Sequence, residues 1–334
     1  MNSHPVAVAL AALISPAAAM AAEQGAAKPD QIVLISFDGA HDNAQWQRSL
    51  ALGEKTGAKF TYFLNCVFLL SPEHKGLFDA PGKGTGKSNV GFGKSREDVS
   101  ARLGNIWRAH LAGHEIASHT CGHFDGKAWT AADYAKDRTE FRSIMADAWK
   151  INGGRREPFG WRAFVDKSLK GFRAPYLSVG AGLEAHLRSG GYLYDASSVE
   201  RGIAAPKMKA GVMRFALPTI PEGPEGRRII SMDYNLFVRH SGGFERTDLN
   251  GAFENRALDA LYAAFNGQYT GKRNPVQFGM HFTLMNGGAY WRAAETFATD
   301  VCGKPDVKCI TYEEYARSHA ASRAAAAWTK RGGS

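Results

Sequence analysis

The chain has 334 residues, of which 44% are hydrophobic and 22% charged, so it holds ample material for a buried core and wholesale disorder is excluded. Its formal charge of +9 suits an anionic partner such as a cell-wall polymer, while the lack of a Lys/Arg helix or an interleaved aromatic-basic motif argues against nucleic acid. Past the first residues, no stretch approaches the roughly 18 apolar residues needed to span a bilayer.

Residues 6–14 form a short apolar run, followed by Ser15-Pro16 and a small-residue stretch at 17–22. This reads as a secretory signal over 1–22, cleaved near Ala21 or Ala22, and it predicts a periplasmic or secreted protein. Only His4 stands where such signals carry Lys or Arg, and an uncleaved membrane anchor is the competing reading. Four cysteines in an exported chain predict disulfides. Cys302 and Cys309 bracket a short Gly/Pro loop that a local bridge closes easily. Cys66 and Cys121 either pair, stay as buried thiols, or leave Cys121 as a soft metal ligand.

Residues 31–37 are a continuous apolar, β-branched run, as in a strand buried on both faces of a parallel sheet, and the run ends at Asp38-Gly39. A helix is predicted over 46–55 and a strand over 59–65. Clustered Gly, Lys, Pro and Ser at 71–95 predict a long surface insertion. Helices over 97–112, 131–151 and 257–264 alternate with short strands at 115–118, 169–173, 192–195, 229–233 and 276–281. Such alternation predicts an α/β fold with a parallel sheet, in a single domain over 30–320 with a tail at 321–334. Asp38, His119, Arg173, Asp195, Asp233 and His281 all close apolar runs, and an enclosed sheet gathers strand ends at one mouth.

Two familiar motifs fail on spacing. Gly84-Thr85-Gly86-Lys87-Ser88 lacks the glycine that a phosphate loop needs five residues before its Gly-Lys-Ser, and Gly91 and Gly93 follow where a helix should begin. His114-Glu115 and His119 stand one residue too far apart for a zinc-peptidase helix. His119 and His123, four apart, do have metal-ligand spacing, because residues i and i+4 on one turn face the same way. His41 and His114 are second-sphere or packing candidates.

Phe37-Asp38-Gly39, His119-Thr120-Cys121-Gly122-His123, Arg173-Ala174-Pro175-Tyr176 and Met280-His281-Phe282 together, in this order, resemble the polysaccharide deacetylases, the NodB-homology group also called carbohydrate esterase family 4. The resemblance implies a distorted (β/α)7 barrel over about residues 30–290, with loops at 66–100 and 196–275 outside the usual core. It implies an exported hydrolase that removes N-acetyl groups from amino-sugar polymers or oligomers, peptidoglycan and chitin-like chains fitting equally. Asp38, His119 and His123 would hold a divalent metal, Zn2+ first and Co2+ as the alternative. His281 would be the general acid, Arg173 would orient the catalytic aspartate, and the Tyr176 backbone N–H would help hold the oxyanion. Tyr194-Asp195 resembles the later motif whose carboxylate tunes the acid histidine. Trp107, Trp129, Trp161 and Trp291 are sugar-stacking faces or core, with Trp291 the candidate for substrate contact.

The first motif departs from the family, whose members carry two adjacent aspartates before a glycine, one as base and one as metal ligand. Here a single Asp38 precedes Gly39. Either Asp38 binds the metal and the base is unassigned, or Asp38 is the base and Asp42 bends back to the metal. Asp38 on the metal is the favoured expectation. The missing aspartate also permits a non-catalytic protein of the same fold that binds metal and glycan.

Overall fold

The computed structural model describes residues 28–153 and 156–320. The expected signal at 1–22 and tail at 321–334 lie outside them. In chain order the regular elements are β1 (Gln31–Gly39), α1 (Asn43–Thr56), β2 (Thr61–Leu64), β3 (Asp79–Ala80), β4 (Gly84–Thr85), α2 (Arg96–Leu111), β5 (Glu115–Ser118), α3 (Ala131–Asn152), α4 (Trp161–Lys167) and β6 (Gly171–Phe172). They continue with α5 (Ala181–Ser189), β7 (Tyr194–Glu200), β8 (Lys207–Lys209), β9 (Val212–Glu222), β10 (Arg227–Ile230), α6 (Asp233–Ser241), α7 (Ala252–Tyr269), β11 (Val276–His281), α8 (Ala289–Cys302) and β12 (Val307–Cys309).

The sheet runs β10-β9-β7-β6-β5-β2-β1-β11. From β9 to β11 every neighbouring pair is parallel, and only β10 against β9 is antiparallel on this path. Seven parallel strands are thus joined in sequence, through intervening helices everywhere except between β7 and β9. The ring is pinned shut by a parallel bridge between Met232 and Gly279, with the Gly279 N–H donating to the Ser231 carbonyl at 2.9 Å. The architecture is a distorted (β/α)7-type barrel. Parallel winding brings the ends of the strands to one rim, where connecting loops carry polar side chains while the strands stay dry.

Local sequence accounts for the positions of these elements. β1 is buried over nearly its whole length, as its apolar run requires. Asp42 then caps α1, its carboxylate accepting from the N–H groups of Ala44 and Gln45 at 2.9 and 3.1 Å. Asp42 is not among the residues that line the cavity described below. Thr130 and Asp133 form a reciprocal capping box at the start of α3. Gly171 is required in β6, because a Cβ there would sit 2.0 Å from the Tyr194 ring.

The region 196–275 departs from expectation. It contains β9, 11 residues long and largely buried, in the barrel sheet itself. Pro218 and Pro221, residues that usually demote a strand, mask its pattern. The insertion at 71–95 is mostly exposed, as expected, whereas Cys66, Val67, Phe68, Leu69 and Leu70 ahead of it belong to the core.

Both cysteine pairs are disulfides, Cys66–Cys121 and Cys302–Cys309, so neither Cys66 nor Cys121 is a thiol available to a metal. Among the described residues no helix is long and apolar enough to cross a membrane. Cys66–Cys121 closes a loop of 55 residues and Cys302–Cys309 one of 7. On chain entropy the first is expected to stabilise by about 4 kcal/mol and the second by about 2 kcal/mol. Thermal unfolding of the two paired Cys→Ala variants checks the ranking, which equal losses would contradict.

Candidate active site

Three side chains of the barrel rim are wired through Arg173. This residue follows β6 and is fully buried. Its guanidinium donates from Nη1 to Ser36 Oγ at 2.8 Å and Asp38 Oδ1 at 2.7 Å, from Nε to the Ala196 carbonyl at 3.2 Å, and from Nη2 to the Tyr312 hydroxyl at 3.2 Å. The Phe63 ring lies against it, 4.1 Å from ring centroid to guanidinium carbon. Burial would raise the Asp38 pKa. The charges of Arg173 and the nearby histidines, with the Arg173 hydrogen bond, overcome this and hold the carboxyl below its ordinary value. Asp38 is a carboxylate with one oxygen clamped.

The backbone of Arg173 sets the second group. Its carbonyl lies 2.8 Å from His119 Nδ1, which must therefore carry the proton and donate. Nε2 of His119 is left as an acceptor, 3.9 Å from Asp38 Oδ2. Burial drives the His119 pKa down to about 3 against the pull of Asp38, so the ring is neutral at any working pH. His123 follows in the same loop with its ring edge-on to that of His119, centroids 4.9 Å apart, and its buried Nδ1 has no hydrogen-bond partner. Tyr176 stands edge-on to His123 from the other side, at 4.9 Å between centroids, and is 61% exposed.

His281 ends β11, directly beside Asp38 in the strand register. The fully buried Asp233, first residue of α6, grips it twice: Oδ2 accepts from the His281 backbone N–H at 2.7 Å, and Oδ1 lies 2.6 Å from ring Nδ1. Burial pulls the imidazole pKa down, but the Asp233 charge and hydrogen bond, with Asp38 adding, lift it to about 8. At neutral pH the ring is protonated and can present Nε2–H to a bound molecule.

The carboxylate behind His281 was expected to be Asp195, and the structure corrects this. Asp195 lies in β7 and is occupied by Ser197 Oγ and by Arg214 Nη1, the latter at 3.1 Å. Ser197 in turn accepts from the Ala174 N–H at 2.8 Å, so Asp195 braces the loop that carries Arg173. Asp233 takes the tuning position because β10 ends next to β11 where the barrel closes. The sequence marks Asp233 as a strand-ending residue but holds no sign of its partner.

Trp291 is a second correction. It is 1% exposed, stacks on Phe37 at 5.1 Å and donates from Nε1 to the His281 carbonyl at 3.0 Å. Its ring supports His281 from the core and offers no face to a sugar. Trp161 is likewise fully buried, and Trp107 and Trp129 pack against the core. His114 is a packing residue, its Nδ1 accepting from the Phe60 N–H at 2.9 Å.

Asp38, His119, His123, Tyr176 and His281 line one cavity of about 620 Å³. Arg173 lies beneath it, and Asp195 and Trp291 are not among its lining residues. Among the described residues Asp38 is the sole carboxylate lining it, and no Lys or Arg does so. Its walls are otherwise largely apolar, with two exposed rings, Tyr176 and Tyr234. The donor types suit a divalent ion: two imidazoles and a carboxylate, one imidazole with its tautomer fixed and the other with a buried nitrogen lacking a partner. Two donors bound to one tetrahedral Zn2+ at about 2.1 Å stand about 3.4 Å apart, close to the separation of His119 Nε2 and Asp38 Oδ2. Among the described residues no group of three or more His, Cys, Asp or Glu side chains is already gathered to hold a metal.

No known family profile matches this chain, and no curated protein matches it in sequence. Solved structures do. A candidate polysaccharide deacetylase from Mycobacterium smegmatis superposes with a TM-score of 0.56 at 14% identity, covering 89% of this chain and 93% of that one. The carbohydrate esterase family 4 domain of a multidomain xylanase from the hindgut metagenome of Trinervitermes trinervoides gives 0.45 at 13% identity, covering 87% and 92%. A variant of a peptidoglycan deacetylase from Bacillus subtilis gives 0.44 at 12% identity, covering 91% and 98%. The chain is an α/β protein with a distorted barrel and one polar rim. Its fold is the NodB type of carbohydrate esterase family 4.

Proposed function

We propose that the protein is a metal-dependent hydrolase that removes N-acetyl groups from amino-sugar polymers or oligomers of the peptidoglycan or chitin type. The observation that carries this reading is the pairing, across one cavity, of His281 backed by Asp233 with Asp38 clamped by Arg173. Amide hydrolysis needs both states at once: a base for the attacking water and an acid for the departing amine. His119, His123 and Asp38 would hold Zn2+, or Co2+ in its place. Such an ion supplies a Lewis acid for the acetyl carbonyl and a water of lowered pKa.

The chain's own groups do the rest. His281 donates its Nε2 proton to the amine nitrogen as the carbon–nitrogen bond breaks, and Asp233 steadies the charge it holds beforehand. The Tyr176 backbone N–H, in the loop after Arg173, would help hold the oxyanion. Tyr176 and Tyr234 offer aromatic faces to the apolar side of a sugar ring. A cavity that no Lys or Arg lines among the described residues suits an uncharged N-acetyl sugar at the reacting position. The chain's net positive charge then serves attraction to an anionic wall polymer from outside the cavity.

His119→Ala is expected to remove bound metal and acetate release together. Metal content and activity of the purified variant check this, and full activity in a metal-free variant would overturn the assignment. A second reading draws on Asp38 being the sole carboxylate lining the cavity among the described residues: a protein of this fold that binds metal and glycan without turnover. It predicts glycan binding with no acetate released by the unmutated chain.

A further inference from the structure

Asn65 follows β2 and is fully buried at the floor of the cavity. Its Nδ2 donates to the backbone carbonyls of His119 at 2.6 Å and Thr120 at 3.0 Å. These two acceptors fix the amide's orientation, because Oδ1 turned that way would face two carbonyl oxygens. Oδ1 is therefore held on the opposite side, buried and without a hydrogen-bond partner among the described residues. A buried acceptor is costly to leave unpaired, and Asn65 is among the residues that line the same cavity as Asp38, His119 and His123.

The position of Asn65 coincides with the gap in the first motif. Phe37, before Asp38, turns to the core and stacks on Trp291. A second site carboxylate next to Asp38 therefore belongs at residue 39, which is Gly39. A Cβ on Gly39 would come within 4 Å of one non-neighbouring atom, Asn65 Oδ1, at 4.0 Å. A residue-39 side chain would thus start in van der Waals contact with this carbonyl oxygen.

We propose that Asn65 is a metal-binding residue of this site, its Oδ1 supplying a neutral oxygen donor in place of the second carboxylate. This rests on the reading that the site holds a divalent cation. Asn65 then relieves Asp38 of serving as both ligand and base: the carboxylate clamped by Arg173 is free to accept the proton of the attacking water. A carbonyl oxygen is an uncharged donor, so the site should bind a divalent cation less tightly than a two-carboxylate site.

The test is titration of the full chain with Co2+, following visible absorption and equilibrium dialysis, for the unmutated protein, Asn65→Ala and His119→Ala. The unmutated chain should bind Co2+, His119→Ala should not, and Asn65→Ala should bind it roughly 10-fold more weakly or worse with a changed absorption band. Unchanged affinity and spectrum in Asn65→Ala would overturn the role of Asn65 while leaving the metal site standing. An unmutated chain that binds no Co2+ would remove both. Nδ2 also holds the backbone at 119–120, so a crystal of the unmutated chain soaked in Co2+ serves if Asn65→Ala does not fold. Asn65 Oδ1 should then lie within about 2.3 Å of the ion, and an ion held without Asn65 would overturn the proposal.

Discussion

Replacing His281 with alanine is expected to lower the turnover of acetate release by about 100- to 10,000-fold, the range a positioned acid contributes, while metal and glycan binding persist. The ring is held by Asp233 and by the Trp291 contact to its carbonyl, so it is fixed in place before any substrate arrives. The same pair sets the pH dependence. Acid catalysis needs the protonated ring, so turnover should hold below pH 8 and fall as pH rises through about 8, the value to which Asp233 lifts the imidazole. Asp233→Asn removes the charge that raises it, and the alkaline limb should move down by roughly 1–3 pH units. An unmoved limb would mean that another group supplies the proton. Stability follows the same sign. With a folded pKa above the ordinary 6.5, His281 adds stability that is complete below that value and lost as pH rises through about 8.

Arg173→Met is expected to cost about 3–5 kcal/mol of folding stability, because it strands the Asp38 carboxylate in a buried site without its partner. Thermal unfolding measures the loss. The double variant Arg173→Met, Asp38→Asn separates charge from packing: if the unpaired carboxylate carries the cost, removing its charge recovers part of it. A double variant no more stable than the single one would assign the loss instead to the contacts with Ser36, Ala196, Tyr312 and the Phe63 ring. Arg173→Lys keeps the charge but cannot fork between Ser36, Asp38, Ala196 and Tyr312 at once, and should recover only part of the stability.

Much of the barrel could be read from residue order alone, for a physical reason. Strands buried on both faces have unbroken apolar runs, and β1 and β11 accordingly fall where their sequences place them. β9 escaped notice because its prolines and mixed pattern imitate a loop. Side chains that end such runs, namely Asp38, His119 and His281, do meet in one cavity, since strand ends share a rim whatever the details of closure. Pairings between distant strands were not legible. The grip of Asp233 on His281 spans 48 residues and depends on how the barrel closes, which no local pattern encodes. Trp291 illustrates a related limit: a tryptophan near a site reads equally as platform or core until its packing on Phe37 is known.

The most direct measurement is acetate release from N-acetylglucosamine oligomers and from peptidoglycan by the purified chain, stripped with chelator and then refilled with Zn2+ or Co2+. Release that disappears on stripping and returns with the metal is the predicted result, and the better substrate identifies the glycan. Bound metal with no acetate from either substrate would contradict the hydrolase and leave a glycan-binding protein of the same fold.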